Sequence, residues 1–247
     1  MMTVLWVLIG IICGVVGLGI LGLVLLFLSS LFVKNIDYTT HSRYYRFLLN
    51  LATLFAVVLC RVRIHVTGAK KAKGIGRFLL VSNHRSNLDP ILTWWILHEY
   101  DLAFLSKQEN FKIPILGKIV RKCCFMPIDR KNPKNAIITI KKAANLLKND
   151  TVSVGVYPEG TRNKENTDLL PFHDGVFRIA KLAEVPIIVC SVRGTENFRK
   201  FYPRRKTDVY LDFDLITKEE AEPLSSHELS KRAQDIMDKR LFQTVTK

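Results

Sequence analysis

A histidine and an aspartate five positions apart, His84 and Asp89, stand in the segment Asn83-His84-Arg85-Ser86-Asn87-Leu88-Asp89, just after an apolar run. An alcohol is a poor nucleophile at neutral pH. A histidine takes its proton during attack because the imidazole titrates near working pH. A carboxylate on the other ring nitrogen fixes the tautomer and stabilises the imidazolium that forms. His84 and Asp89 suit that pairing if the loop between them folds back. Asp89, ahead of Pro90, also reads as a helix cap, and the two roles are compatible. The second chemical segment, Tyr157-Pro158-Glu159-Gly160-Thr161-Arg162, puts a Glu and an Arg in a tight Pro/Gly turn after another apolar run. A phosphate monoester is held by guanidinium forks and backbone amides. Arg162, after Gly160 and Thr161, can supply them, and Arg130, closing Phe125-Met126-Pro127-Ile128-Asp129-Arg130, offers a second cation. Glu159 either accepts from a substrate hydroxyl or braces an arginine, and a plain Glu–Arg ion pair that fixes the turn stays open. Together these groups suit deprotonation of a hydroxyl on a phosphate-bearing molecule. Ser82 and Ser86 flank His84, but neither lies in a Gly-x-Ser-x-Gly elbow, so no acyl-enzyme is expected.

Both segments must be carried at strand ends. The alternating stretch Arg61–Val66 reads as a half-buried strand. Apolar runs at 78–81, 103–105, 124–128, 151–157, 186–192 and 209–213 read as further strands. Helices are expected from Asp89 to about His98, from Pro133 to Lys148 with Ile137, Ile140, Ala144 and Leu147 on its apolar face, and over 174–183. A last helix follows a capping box at Ser225 to Glu228. Strands that alternate with helices predict an α/β fold with a mixed, largely parallel sheet flanked by helices. Such sheets bind ligands at the carboxyl ends of their strands, where both segments fall. There is no Walker loop, and Gly74-Ile75-Gly76 lacks the third glycine of a dinucleotide fingerprint.

The 247 residues hold one sizeable domain plus an N-terminal appendage. Lys and Arg number 37 against 22 Asp and Glu, a formal charge of +15, and residues 1–33 carry none of those charges. A body so basic faces either nucleic acid or an anionic membrane leaflet, and the apolar N-terminus favours the leaflet. Thr3 to Val33 is long enough for a membrane span, which takes about 20 helical residues, and it has neither the basic start nor the cleavage site of a signal peptide. Phe47 to Cys60 is shorter and fits a re-entrant or interfacial helix. Lys34 to Arg46 joins the two as a basic connector, so the positive-inside tendency disfavours two full spans; a first helix that crosses with a second that only dips satisfies it too, and the hairpin dipping into one leaflet is the favoured form. The expected division is a membrane-anchoring hairpin over 1–60 and a catalytic α/β domain over 61–247, facing the cytoplasm. Cys13, Cys60, Cys123, Cys124 and Cys190 form no Cys-x-x-Cys pair, which argues against a disulfide framework or zinc site and for a reduced compartment.

Taken together, these segments resemble the glycerolipid acyltransferases, specifically the 1-acyl-glycerol-3-phosphate acyltransferases. The family's His-x4-Asp block is matched by His84 to Asp89 and its second block by Gly117 through Arg130. The aromatic-Pro-Glu-Gly-Thr-Arg block is matched by Tyr157 to Arg162, and the Val-Pro-Ile strand by Val185 to Ile188. The third block departs from the common pattern in having Tyr157 first and Asn163 last, which removes no charged group. The resemblance implies that lysophosphatidic acid binds with its phosphate near Arg130 and Arg162, with Glu159, Gly160 and Thr161 in the same site. His84, oriented by Asp89, then deprotonates the glycerol 2-hydroxyl, which attacks the thioester of acyl-CoA or acyl carrier protein. Phosphatidic acid results, with no metal or redox cofactor. The implied partners are the bilayer, the lysolipid and the thioester carrier, not nucleic acid. The acyl chain needs an apolar groove, for which Trp94, Trp95, Phe104 and Phe111 are candidates beside ordinary core packing. Rival readings are an acyltransferase for another glycerolipid acceptor, a membrane-bound thioesterase or lipase using Ser82 or Ser86, and a tethered nucleic-acid binder.

Overall fold

The computed structural model describes residues 2–163 and 168–242. In chain order the strands are β1 (Val62–Thr67), β2 (Leu79–Ser82), β3 (Ala103–Lys107), β4 (Met126–Ile128), β5 (Val154–Val156), β6 (Ile187–Arg193) and β7 (Thr207–Ile216). The helices are α1 (Met2–Leu31), α2 (Arg43–Leu59), α3 (Asp89–Ile96), α4 (Leu116–Lys122), α5 (Pro133–Lys148), α6 (Arg178–Ala183), α7 (Phe198–Phe201), α8 (Lys218–Ala221) and α9 (Ser226–Phe242).

The strands form one sheet in the order β1-β7-β6-β2-β5-β3-β4. All neighbours run parallel except β6 and β7, which pair antiparallel. The expected mixed, largely parallel α/β sheet is therefore the observed one. Its central strands are apolar throughout because both faces are covered. Leu79 and Val81 of β2 join a core with α5, α6 and α9, while Leu80 and Phe78 point to the other face with Leu48, Leu92 and Ile119 of α2, α3 and α4. Asn132 caps α5 by accepting from the Lys134 and Asn135 amides, and Ser225 and Glu228 exchange hydrogen bonds at the start of α9.

Several elements differ from the sequence expectation. The strand expected from Cys124 begins at Met126, because Cys123 ends α4 and Cys124 turns the chain at φ +63°. The expected helix over 174–183 starts as a 3₁₀ turn and becomes α-helical only at Arg178. Ile137 stays on the outer side of α5, 38% exposed, while Ala143 and Leu146 join Ile140, Ala144 and Leu147 inside.

Among the described residues, α1 is the one helix long and apolar enough to cross a membrane; its most apolar stretch is unburied, while its last turn, at Ser29 and Ser30, packs against α2. The second helix begins at Arg43, not Phe47, so the last four residues of the expected polar connector are helical. The reason is Arg46. Its guanidinium is buried and donates to the carbonyls of Leu102 at 3.0 Å, Asp101 at 2.8 Å and Cys123 at 3.1 Å. Trp94 Nε1 donates to Asn50 Oδ1 at 2.6 Å, tying α2 to α3. One side of α2 thus packs on the body, and Phe47, Leu54, Val58 and Leu59 face outward.

Candidate active site

His84 lies two residues beyond the carboxyl end of β2, and the loop after it does fold back. The His84 Nδ1 and Asp89 Oδ2 atoms are 2.8 Å apart. The same oxygen accepts from the amides of Arg85 at 2.6 Å and Ser86 at 2.7 Å. Asp89 is fully buried. It does not cap α3 with its side chain: it is the first helical residue after Leu88, and its carboxylate reaches backward into the loop. The other oxygen, Oδ1, accepts from Thr195 Oγ1 at 2.6 Å. Thr195 was not among the sequence candidates. It follows β6, beside Gly194 at φ +92°, where a Cβ would lie 2.2 Å from the Asp208 carbonyl oxygen. A Gly-Thr pair just past an apolar strand was the available signal.

Asn83 locks the same strand ends together. Its side chain donates to the Val192 carbonyl at 2.8 Å and accepts from the Val192 amide at 2.7 Å. The Tyr157 ring stands against the imidazole with centroids 4.4 Å apart. Ser82 is buried and donates to the Asn83 carbonyl, and the Ser86 hydroxyl accepts from the Leu88 amide, so both serines serve the loop.

Glu159 is buried and, among the described residues, forms no ion pair with an arginine, although the Arg85 charge acts on it from nearby. Its Oε1 accepts from the His84 amide at 2.7 Å and its Oε2 from the Leu170 amide at 3.3 Å. The open choice between substrate contact and arginine brace thus gains a third answer, in which Glu159 braces the backbone under His84. Burial pushes its carboxyl above the ordinary value, opposed by those two amides and by the charges of His84 and Arg85. Asn163 donates its amide to the His84 carbonyl at 2.7 Å, so the two chemical segments clasp each other. Gly160 sits at φ +66° with the His173 ring where a Cβ would be. Its carbonyl accepts from Arg130 Nη1. Burial lowers the Arg130 pKa.

A cavity of about 460 Å³ opens beside this group. His84, Arg130, Thr161 and Arg162 stand on its wall, and Trp94, Phe104, Phe111 and Phe125 continue it as an apolar pocket. Leu49 and Thr53 of α2 line it too. Trp95 is not on this wall; it packs on His98. A second cavity, about 500 Å³, lies at the opposite end of the sheet among Arg77, Lys148, Glu184 and Lys218 and touches none of the candidates. Among the described residues no three His, Cys, Asp or Glu side chains gather as a metal site. The five cysteines are unpaired, and burial pushes the Cys123 thiol up to about 12 and that of Cys124 up to about 11.

The molecule is thus a layered α/β protein with a histidine held by a buried aspartate at the carboxyl ends of its strands. Residues 63–193 match the Acyltransferase family, and the chain belongs to that family. It is 33% identical over 160 residues to the 1-acyl-sn-glycerol-3-phosphate acyltransferase alpha of Mus musculus, covering 65% of this chain and 55% of that one. It is 31% identical over 134 residues to the 1-acyl-sn-glycerol-3-phosphate acyltransferase of Limnanthes douglasii, covering 54% and 46%. The chain thus spans about half the length of these curated relatives. The crystal structure of the 1-acyl-sn-glycerophosphate (LPA) acyltransferase from Thermotoga maritima has the same fold, with a TM-score of 0.67, 21% identity and coverage of 90% and 89%.

Proposed function

We propose that the protein transfers a fatty acyl group from acyl-CoA or acyl carrier protein to the sn-2 hydroxyl of lysophosphatidic acid, giving phosphatidic acid. The observation that carries this reading is the His84–Asp89 pair at the mouth of an apolar cavity whose wall also bears Arg130 and Arg162. The names of the relatives support the same acceptor.

With Nδ1 committed to Asp89, the other ring nitrogen of His84 is the base. It takes the proton of the 2-hydroxyl as that oxygen attacks the thioester carbonyl. The tetrahedral intermediate collapses, the carbon–sulfur bond breaks, and the proton passes from the imidazolium to the leaving thiolate. Asp89 fixes the tautomer and stabilises the imidazolium. Arg162 binds the acceptor phosphate. Arg130 holds the Gly160 carbonyl and adds positive potential, and Thr161 lies on the same rim. Glu159 sets the height of the His84 backbone. The acyl chain occupies the cavity walled by Trp94, Phe104 and Phe111. This chemistry needs no metal or redox cofactor; the thioester is a co-substrate.

In this reading residues 1–60 anchor the protein in a bilayer and the α/β body works on its cytoplasmic face. The apolar outer faces of α1 and α2 support the anchor. Direct attack by the acceptor needs no serine, in keeping with the loop duties of Ser82 and Ser86. The test is product analysis with the solubilised protein, oleoyl and palmitoyl thioesters of CoA and of carrier protein, and competing acceptors. Phosphatidic acid formed in preference to products from glycerol 3-phosphate or head-group lysophospholipids supports the reading. Free fatty acid alone, or acylation of another acceptor first, overturns it.

A further inference from the structure

The stretch between β6 and β7 leaves the sheet at the His84 end, and its second residue, Thr195, touches Asp89. From Phe198 to Lys206 it carries Arg199, Lys200, Arg204, Arg205 and Lys206 and no acidic residue. All five cations are exposed, and among the described residues none has a carboxylate partner. Tyr202, half exposed, packs on Phe198 with centroids 5.1 Å apart. This stretch lies against the end of α2. Arg61, two residues past that helix, donates from Nη1 to the Pro203 carbonyl at 2.9 Å, and its own carbonyl accepts from the Thr207 amide at 3.3 Å. The last turn of α2 exposes Val58 and Leu59 there, 64% each.

Apolar side chains, an aromatic ring with a polar tip and unpaired cations in one place form the composition of a bilayer interface. An acidic protein partner would account for the cations and leave Val58 and Leu59 in water. We propose that residues 198–206 are a second bilayer contact, a site for anionic lipid head groups that holds the active-site end of the sheet against the membrane. It rests on the membrane residence proposed above and not on the acyl-transfer chemistry. Such a contact would also keep the site's mouth at the level of the phosphates it is to bind.

The full chain is reconstituted in nanodiscs of phosphatidylcholine, with or without phosphatidylglycerol, and treated with trypsin. Cleavage at Arg199 to Lys206 is followed by mass spectrometry, with exposed Lys148, at the far end of the strands, as the internal control. Each basic residue near an anionic surface favours attachment by roughly fivefold, so cleavage in this segment slows by at least about tenfold in the anionic discs. The slowing vanishes at high salt, while Lys148 is cut equally in both. In the variant Arg204→Gln/Arg205→Gln/Lys206→Gln most of the protection at Arg199 and Lys200 is lost. Equal cleavage in the two discs overturns the proposal. So does protection by an acidic carrier protein in phosphatidylcholine discs, which assigns the segment to a protein partner. Protection without any acyl transfer leaves this proposal standing and removes the enzymatic one.

Discussion

Thr195 donates its hydroxyl proton to Oδ1 of Asp89 at 2.6 Å, across 106 residues of chain. The other carboxylate oxygen is held by two amides and faces Nδ1 of His84. With both oxygens engaged, the Asp89 carboxylate cannot turn away from the imidazole, and the loop carrying His84 is pinned to the segment that follows β6, the strand paired with β2.

Thr195→Val keeps the shape and removes the donor. Leaving a buried carboxylate oxygen short of one hydrogen bond costs about 1.5–3 kcal/mol. Thermal unfolding in detergent should show that loss. In the assay kcat should fall while KM for the acceptor holds, because the bond orients the base and does not touch the lipid phosphate. Thr195→Ser should recover most of kcat. A serine variant as impaired as the valine one would mean that the methyl group, and so packing, is what matters.

Glu159 predicts a specific pH dependence of stability. Burial raises its folded-state pKa above the ordinary 4.5. The folded state therefore holds the proton more tightly than the unfolded chain, and stability falls as pH rises from about 4.5 through the raised value. Above that window the cost is constant. Glu159→Gln should flatten this part of the melting profile. A profile unchanged by the substitution would show that Glu159 does not titrate abnormally.

Arg46 should matter more to stability than any exposed charge. Its guanidinium satisfies three carbonyls between α2 and the body. Arg46→Ala leaves them buried and unpaired, a loss of roughly 3–5 kcal/mol. Unfolding should move to lower temperature, and proteolysis of α2 should become faster. A shift no larger than that of Arg43→Ala would contradict the packing described for α2.

Arg162 and Arg130 should separate kinetically. Arg162→Ala should raise KM for the lysolipid by roughly 10- to 100-fold, the worth of a charge-assisted hydrogen bond, with a smaller effect on kcat. Arg162→Lys should recover only part of it, because an ammonium lacks the guanidinium fork. Arg130→Ala should lower kcat as well, since Arg130 holds the Gly160 carbonyl of the turn that clasps His84. Identical effects on the thioester KM and the lysolipid KM would disprove a phosphate role for Arg162.

The pair His84 and Asp89 was legible because both lie in one short loop, where spacing limits geometry. The sheet was legible because strands covered on both faces read as unbroken apolar runs. Thr195 was hidden because a partner on another strand leaves no local pattern, only a glycine and a hydroxyl after β6. Arg46 read as part of a polar connector, since a charge beside a polar stretch looks solvated until the carbonyls that receive it are placed around it. Glu159 was seen as a substrate or arginine contact, whereas its two acceptor bonds go to backbone amides. The apolar face of α2 was visible, but its other face could not be assigned to the cavity wall without the packing of α3 and α4.

The most direct test of the proposed chemistry is the rate of phosphatidic acid formation by wild type and His84→Ala, run side by side with matched melting temperatures and the preferred thioester. A general base contributes about 10²- to 10⁴-fold, so the variant should lose at least roughly 10²-fold in kcat with the lysolipid KM little changed. A folded His84→Ala protein that turns over at the wild-type rate would contradict the account at its centre.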